Sequence, residues 1–67
     1  MSVARVTEIT SASKKSFDDA VQQGIDRANK TLKNVAGAWV RDMKVVVTKG
    51  KISEYRVNMK VTFILED

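Results

Sequence analysis

The sequence contains no cysteine, histidine or proline, and its aromatic residues are one Trp, one Tyr and two Phe among 67 residues. Without cysteine or histidine, disulfides and the common zinc sites are excluded, so any bound metal would be a hard cation held by oxygen ligands. There is no apolar run of 18 residues and no charged-then-apolar leader, so we expect neither a membrane span nor a signal peptide. The absence of cysteine fits a reducing cytoplasm, which is the location we predict.

The short length limits the stability that one chain can reach alone. We expect a single domain over residues 1–67, and a domain of this size buries only about 60% of the surface that its unfolded chain exposes. Domains this small are usually supported by disulfides, a metal or self-association. With disulfides and zinc excluded, self-association is the predicted support.

The charge balance gives little indication of a partner. Twelve Lys and Arg against eight Asp and Glu give a net charge of +4, which makes nucleic acid or another anion conceivable. The basic residues are nevertheless spread among acidic ones, which favours an ordinary solvated surface. The sequence lacks paired RRM-type aromatics, a GXXG loop and an arginine-rich helix, so a small RNA-binding domain is disfavoured. Without histidine, cysteine or a serine with a plausible base, we predict that the chain is not an enzyme.

The first half of the chain predicts a strand followed by a helix. The segment "VARVTEIT", Val3 to Thr10, is rich in β-branched residues and partly alternating. Ser16 with Asp19 three residues later has the form of a capping box, and Ser13 is an equally possible helix cap. Gly24 lies within the apolar stripe of the helix, where we expect it to allow close approach to a sheet. The predicted stripe is Phe17, Ala20, Val21, Gly24, Ile25, Ala28, Leu32 and Val35.

The second half predicts two strands joined at "TKGK", Thr48 to Lys51, where Gly50 can adopt the positive φ of a tight hairpin. The last strand alternates apolar and polar residues, so its odd-numbered side chains from Tyr55 to Leu65 should face the helix. The resulting class is α+β, with one helix packed on a three-stranded antiparallel sheet in the order β-α-β-β.

The strand that follows the helix changes the parity of its apolar residues. Ala38 and Val40 belong to one set and Met43 to the other, which a strict period of two cannot bury on one face. A bulge near Asp42 and Met43 would reconcile them. Trp39 would then lie on the face of the sheet that the helix does not cover.

Three residues beside Trp39 or on the same predicted face complete a candidate ligand site, namely Gly37, Arg41 and Arg56. An indole on an open sheet face either is buried in an oligomer interface or stacks against a flat ligand, and the sequence leaves both interpretations open. A third alternative is that the parity assignment is wrong and Trp39 does not lie on the open face. For the two arginines the alternative role is a surface ion pair with Asp42 or Glu54.

The chain resembles the dodecin family. The similarity is carried by "VTEITSASKKSFDDAV" in the opening strand and helix start, "IDRANKTLKNV" in the helix end, and "GKISEYRVNMKVTFIL" in the closing strand. It extends from about Val3 to Leu65 and depends on the combination of these segments. The resemblance implies a curved sheet and a hollow, non-enzymatic homododecamer. It further implies stacked flavins such as riboflavin or FMN held between tryptophan rings, or calcium in one subgroup.

The sequence departs from the flavin-binding pattern at two positions. Ungapped alignment of "KNVAGAWV" places Gly37, not Trp39, where flavin-binding members carry their stacking tryptophan. Arg56 occupies a position that is often glutamine in those members, and arginine can donate but not accept hydrogen bonds. For calcium, no EF-hand loop is present, and metal ligands gathered from several copies cannot be named from the spacing in one chain.

Overall fold

The computed structural model describes residues 3–65. The elements are β1 (Ala4–Ser13), α1 (Phe17–Thr31), β2 (Val35–Thr48) and β3 (Lys51–Ile64). The strands form one antiparallel sheet in the order β1-β3-β2, so the last strand of the chain is the central one. The predicted α+β class and β-α-β-β order are confirmed. Within residues 3–65, no helix has the length and apolar character needed to cross a membrane.

The start of α1 is fixed by two serines with different roles. Ser16 is the N-cap, and its Oγ accepts a hydrogen bond of 3.0 Å from the backbone N–H of Asp19. Ser13 is not the cap: its buried hydroxyl accepts from the N–H of Lys15 and donates to the Asp19 carboxylate at 2.5 Å. The hydrogen bond from Ser13 lowers the pKa of the Asp19 carboxyl, and the Gln23 amide and Lys15 charge act in the same direction.

The end of α1 differs from the prediction. Leu32 is the C-cap, where its N–H donates to the carbonyl of Ala28, and Val35 already belongs to β2. The apolar stripe therefore ends before Leu32 and Val35. The chain leaves the helix at Leu32, whose backbone is extended with φ −113° and ψ 139°. Asn34 then turns the chain toward β2 with a positive φ of 60°, a conformation that asparagine tolerates better than most residues.

The helix packs mainly over β1 and β3. The buried cluster combines Ala20 of the helix with Val57 and Met59 of the central strand, and Phe17 meets Tyr55 edge to face at 5.1 Å. The odd-numbered face of β3 is therefore the one toward the helix, as predicted. Gly24 is buried at the closest approach, because a Cβ at this position would collide with the Met59 methyl and lie 3.1 Å from the Ser11 Cβ.

The hairpin and the predicted bulge are both present. Lys49 and Gly50 have positive φ values of 54° and 76°, the combination of a type I′ turn. The pairing of β2 with β3 shifts between Val40 and Asp42, so Arg41 is the extra residue of a β-bulge. Two further shifts, at Val35/Gly37 and Val46/Val47, were not predicted.

Replacing Gly24 with valine tests the close approach of helix and sheet. We expect Gly24→Val to destabilise the fold by about 1–3 kcal/mol, because the added atoms overpack the core around Met59. Thermal unfolding measured by circular dichroism at fixed protein concentration would check this. Asn29→Val is the control, since it adds the same side chain at an exposed position of the same helix. Equal melting temperatures for the two variants would contradict the packing assigned to Gly24.

Candidate functional site

The face of the sheet opposite α1, called the open face below, carries Trp39. Val40 packs into the core beneath the helix, so its neighbour Trp39 points to the other side. The Trp39 side chain is 71% exposed, the largest exposure among the exposed large hydrophobic residues of the described chain. It lies directly opposite Lys60 of β3, which in turn pairs with Glu8 of β1. The predicted orientation of Trp39 is confirmed.

Arg41 reaches across the whole width of the sheet. Its guanidinium donates to the Glu8 carboxylate of β1 at 3.2 Å, passing over the central strand. The bulge at Arg41 makes this possible, because it places an unpaired residue beside Trp39 without moving Val40 out of the core. The alternative partner considered for Arg41, Asp42, instead accepts a hydrogen bond from Asn58.

A second polar bridge crosses the open face one rung further along. Thr10 of β1 donates to the Asn58 side-chain carbonyl at 2.8 Å, and the Asn58 amide donates to Asp42 of β2 at 2.5 Å. The two bridges hold the three strands together on the side that has no helix.

Arg56 lies on the open face but at a distance from Trp39. It is half-buried, donates to Glu54 at 3.4 Å as the sequence suggested, and pairs across the sheet with Lys44. Lys60, the residue opposite Trp39, is four positions after Arg56 in β3. This spacing corresponds to roughly 13 Å along the strand. The structure thus brings Gly37, Trp39 and Arg41 together within one chain and leaves Arg56 apart.

Gly37 lies beside Trp39, in a rung of small residues. It pairs with Thr62 of β3, and Thr62 pairs with Val6 of β1, whose side chain is 53% exposed. A Cβ built at Gly37 would meet no atom within 4 Å. The open face next to Trp39 is therefore shallow and unfilled.

Beyond Val40, the helix-side face of β2 is also uncovered, because α1 lies mainly over β1 and β3. Met43 and Val45 pair with Val57 and Tyr55 on the helix side of β3 but are 55% and 37% exposed. The pair Val47 and Ile52 continues the row toward the hairpin. These four exposed residues, called the β2 strip below, form an apolar row on the helix side of the sheet. A row of this kind indicates a surface that another molecule covers.

The carboxylates do not gather around a point. Within residues 3–65, no group of three or more side chains with metal-ligating atoms is present. Glu8 is paired with Arg41, Glu54 with Arg56, and Asp19 accepts from Ser13 and Gln23. Glu66 and Asp67, two of the eight carboxylates counted in the sequence, lie outside the described residues.

Sequence reasoning did not identify Lys60 and Thr62 as neighbours of Trp39 and Gly37. Their alternation with buried residues placed them on the polar face of β3, and that part of the pattern was readable. The missing information was the strand order, because only a central β3 puts these side chains between β1 and β2.

Comparison with known proteins gives a consistent result. The family model described as Dodecin matches residues 3–66. No curated protein matches the sequence. Among solved structures, dodecin from Streptomyces davaonensis is 35% identical, with a TM-score of 0.95 over 98% of this chain and 97% of that one.

Two further structures show the range of the relatives. A variant of Thermus thermophilus dodecin, in which an arginine is replaced by alanine, is 27% identical with a TM-score of 0.94 over all of both chains. The calcium dodecin from Mycobacterium tuberculosis, described as having a novel calcium-binding site, is 28% identical with a TM-score of 0.83 over 96% of this chain and 91% of that one. With its fold, its strand order and a family match over residues 3–66, this chain belongs to the dodecin family.

Proposed function

We propose that the chain forms a homododecameric shell that binds a flavin, riboflavin or FMN, and catalyses no reaction. The observation that carries the proposal is Trp39, an indole 71% exposed on the open face of a sheet in a dodecin-family chain. Indole rings gain stacking energy with flat heterocycles beyond the area that they bury. In a symmetric assembly, one such ring per copy gives paired stacking surfaces.

The polar groups near Trp39 suit the edge of a flavin. Arg41 lies beside the indole and pairs with Glu8 through one of its nitrogens, which leaves other guanidinium N–H groups to donate to a carbonyl. Arg56, roughly 13 Å further along, fits contact with the tail of the ligand rather than with its ring. Gly37 contributes by leaving the space beside Trp39 open.

The proposed assembly is supported by the small core and by the β2 strip. Among residues 3–65, the buried hydrophobic residues are Ala20, Ala28, Val57, Met59 and Val61. Fully burying a side chain of this size is worth about 1.5–3 kcal/mol, and Met43 and Val47, which are 55% and 59% exposed, would each gain roughly half of that under a second copy. Self-association thus provides the apolar burial that one chain lacks.

Trp39 variants test the stacking role. We expect Trp39→Ala to weaken riboflavin and FMN binding at least tenfold, and Trp39→Phe to weaken it less, because a smaller ring still stacks. Quenching of flavin fluorescence on titration with protein measures the affinity, and sedimentation velocity measures the size of the assembly. Unchanged affinity in Trp39→Ala would contradict stacking. Loss of the shell with retained helix content would instead assign Trp39 to a subunit interface.

A charge on the β2 strip tests the assembly. We expect Met43→Lys to shift the protein from the shell toward small oligomers, because burying an unpaired ammonium in an apolar contact is strongly unfavourable. Native mass spectrometry gives the copy number. Asn29→Lys adds the same charge on the exposed side of α1 and serves as the control. A complete shell for Met43→Lys would show that the β2 strip is not an assembly contact.

Calcium binding is the alternative that the Mycobacterium tuberculosis relative suggests. In this chain it would require carboxylates from several copies, because those of residues 3–65 do not cluster. Calorimetric titration of EDTA-treated protein with Ca²⁺ distinguishes the two ligands, and we expect no saturable heat. Stoichiometric calcium uptake together with no flavin binding would replace the proposed function by the alternative.

A further inference from the structure

Gly37 flanks a shift in the pairing of β2 with β3, between Val35 and Gly37, but neither its backbone conformation nor crowding requires a glycine there. Its φ is not positive, so the backbone does not require glycine at this position, and a Cβ would meet no atom within 4 Å. Gly24 and Gly50 differ in this respect, because the first is crowded and the second has a φ of 76°. Glycine inside a strand weakens it and often marks a bulge or a place where a ligand or another backbone approaches closely. The pairing shift beside Gly37 is such an irregularity, and it leaves the open face above the glycine unfilled.

The surroundings of Gly37 favour a ligand ring as the group that approaches. Trp39 is two residues away on the same face of the strand. The space directly above Gly37 is therefore roughly 6.6 Å from the indole, measured along the strand. Stacked aromatic rings have centroids about 4.5–7 Å apart, so a ring above Gly37 lies within stacking range of Trp39. Exposed Val6 extends the apolar surface of the same rung toward β1.

The neighbouring strand supplies donors to one edge of this space. Thr62 lies opposite Gly37, and Lys60 lies opposite Trp39, both half-buried on the open face. A lysine ammonium only donates hydrogen bonds, and a threonine hydroxyl can donate or accept. The matching ligand edge therefore carries acceptors, such as carbonyl oxygens or a deprotonated ring nitrogen.

We infer that Gly37, Thr62 and Val6 form the floor of a slot beside Trp39, which selects flat fused heterocycles whose edge presents carbonyl oxygens to Lys60 and Thr62. Gly37 is the specificity-determining position of this slot, because any larger side chain would fill the space above the strand in which the ligand ring lies. This inference rests on the proposed function and specifies where the ring lies and which residues read its edge.

Substitution of Gly37 separates the slot from the fold. Gly37→Val adds a side chain where nothing contacts it and raises strand propensity, so the variant should fold and assemble at least as well as the wild type. We expect it to bind riboflavin and lumichrome more than tenfold more weakly. Lys60→Met keeps the aliphatic stem and removes the donor, and should weaken lumichrome binding about tenfold. Ala12→Val adds a valine at an exposed position of the open face on β1 and should leave binding unchanged.

The measurements are flavin fluorescence quenching for affinity and sedimentation velocity for assembly, on the wild type and all variants. Retained affinity in Gly37→Val, with Trp39→Ala impaired, overturns the slot and leaves the proposed function in place. Failure of the wild type to bind either probe overturns the proposed function and the slot with it. A changed oligomer size in Gly37→Val assigns the glycine to contact between copies and also overturns the slot.

Discussion

The close packing of α1 on β1 and β3 is the constraint on which the remaining features depend. A single 15-residue helix packs closely on β1 and β3 through Gly24, and it reaches β2 little beyond Val40. The rest of β2 is therefore uncovered on both faces. On one side this leaves the apolar β2 strip, and on the other it leaves Trp39.

The bulge at Arg41 makes these two faces compatible within one strand. Without it, Val40 and Met43 would lie on opposite sides, and one apolar residue would leave the helix face. With the extra residue, both face the helix side while Arg41 is free to reach Glu8. The arginine then ties β2 to β1 across the central strand, beside the exposed indole. The bulge at Arg41 thus keeps Val40 and Met43 on the helix side of the sheet and places the arginine at the candidate site.

Local chemistry determined the parts of the fold that the sequence could predict. The turn at Gly50 and the parity change before Met43 follow from residues within a few positions, and both are confirmed. For the helix cap the sequence offered Ser13 and Ser16 equally, and the structure selects Ser16. The strand order depends on contacts between distant segments, so it was not derivable from spacing. For the same reason the ion-pair partners considered for the two arginines were only Asp42 and Glu54, whereas the structure pairs Arg41 with Glu8, 33 residues away.

For the candidate site too, the residues on one strand were predictable from the sequence, and those contributed by another strand were not. Trp39 and Gly37 stand out in the sequence because one is the only tryptophan and the other is a glycine within a strand. Their possible partners, Lys60 and Thr62, become visible only when β3 is placed between the outer strands. In the structure the exposed ring and the unfilled glycine are adjacent on one face. The proposed ligand would therefore stack on Trp39 from the Gly37 side, because no side chain fills the space above the glycine.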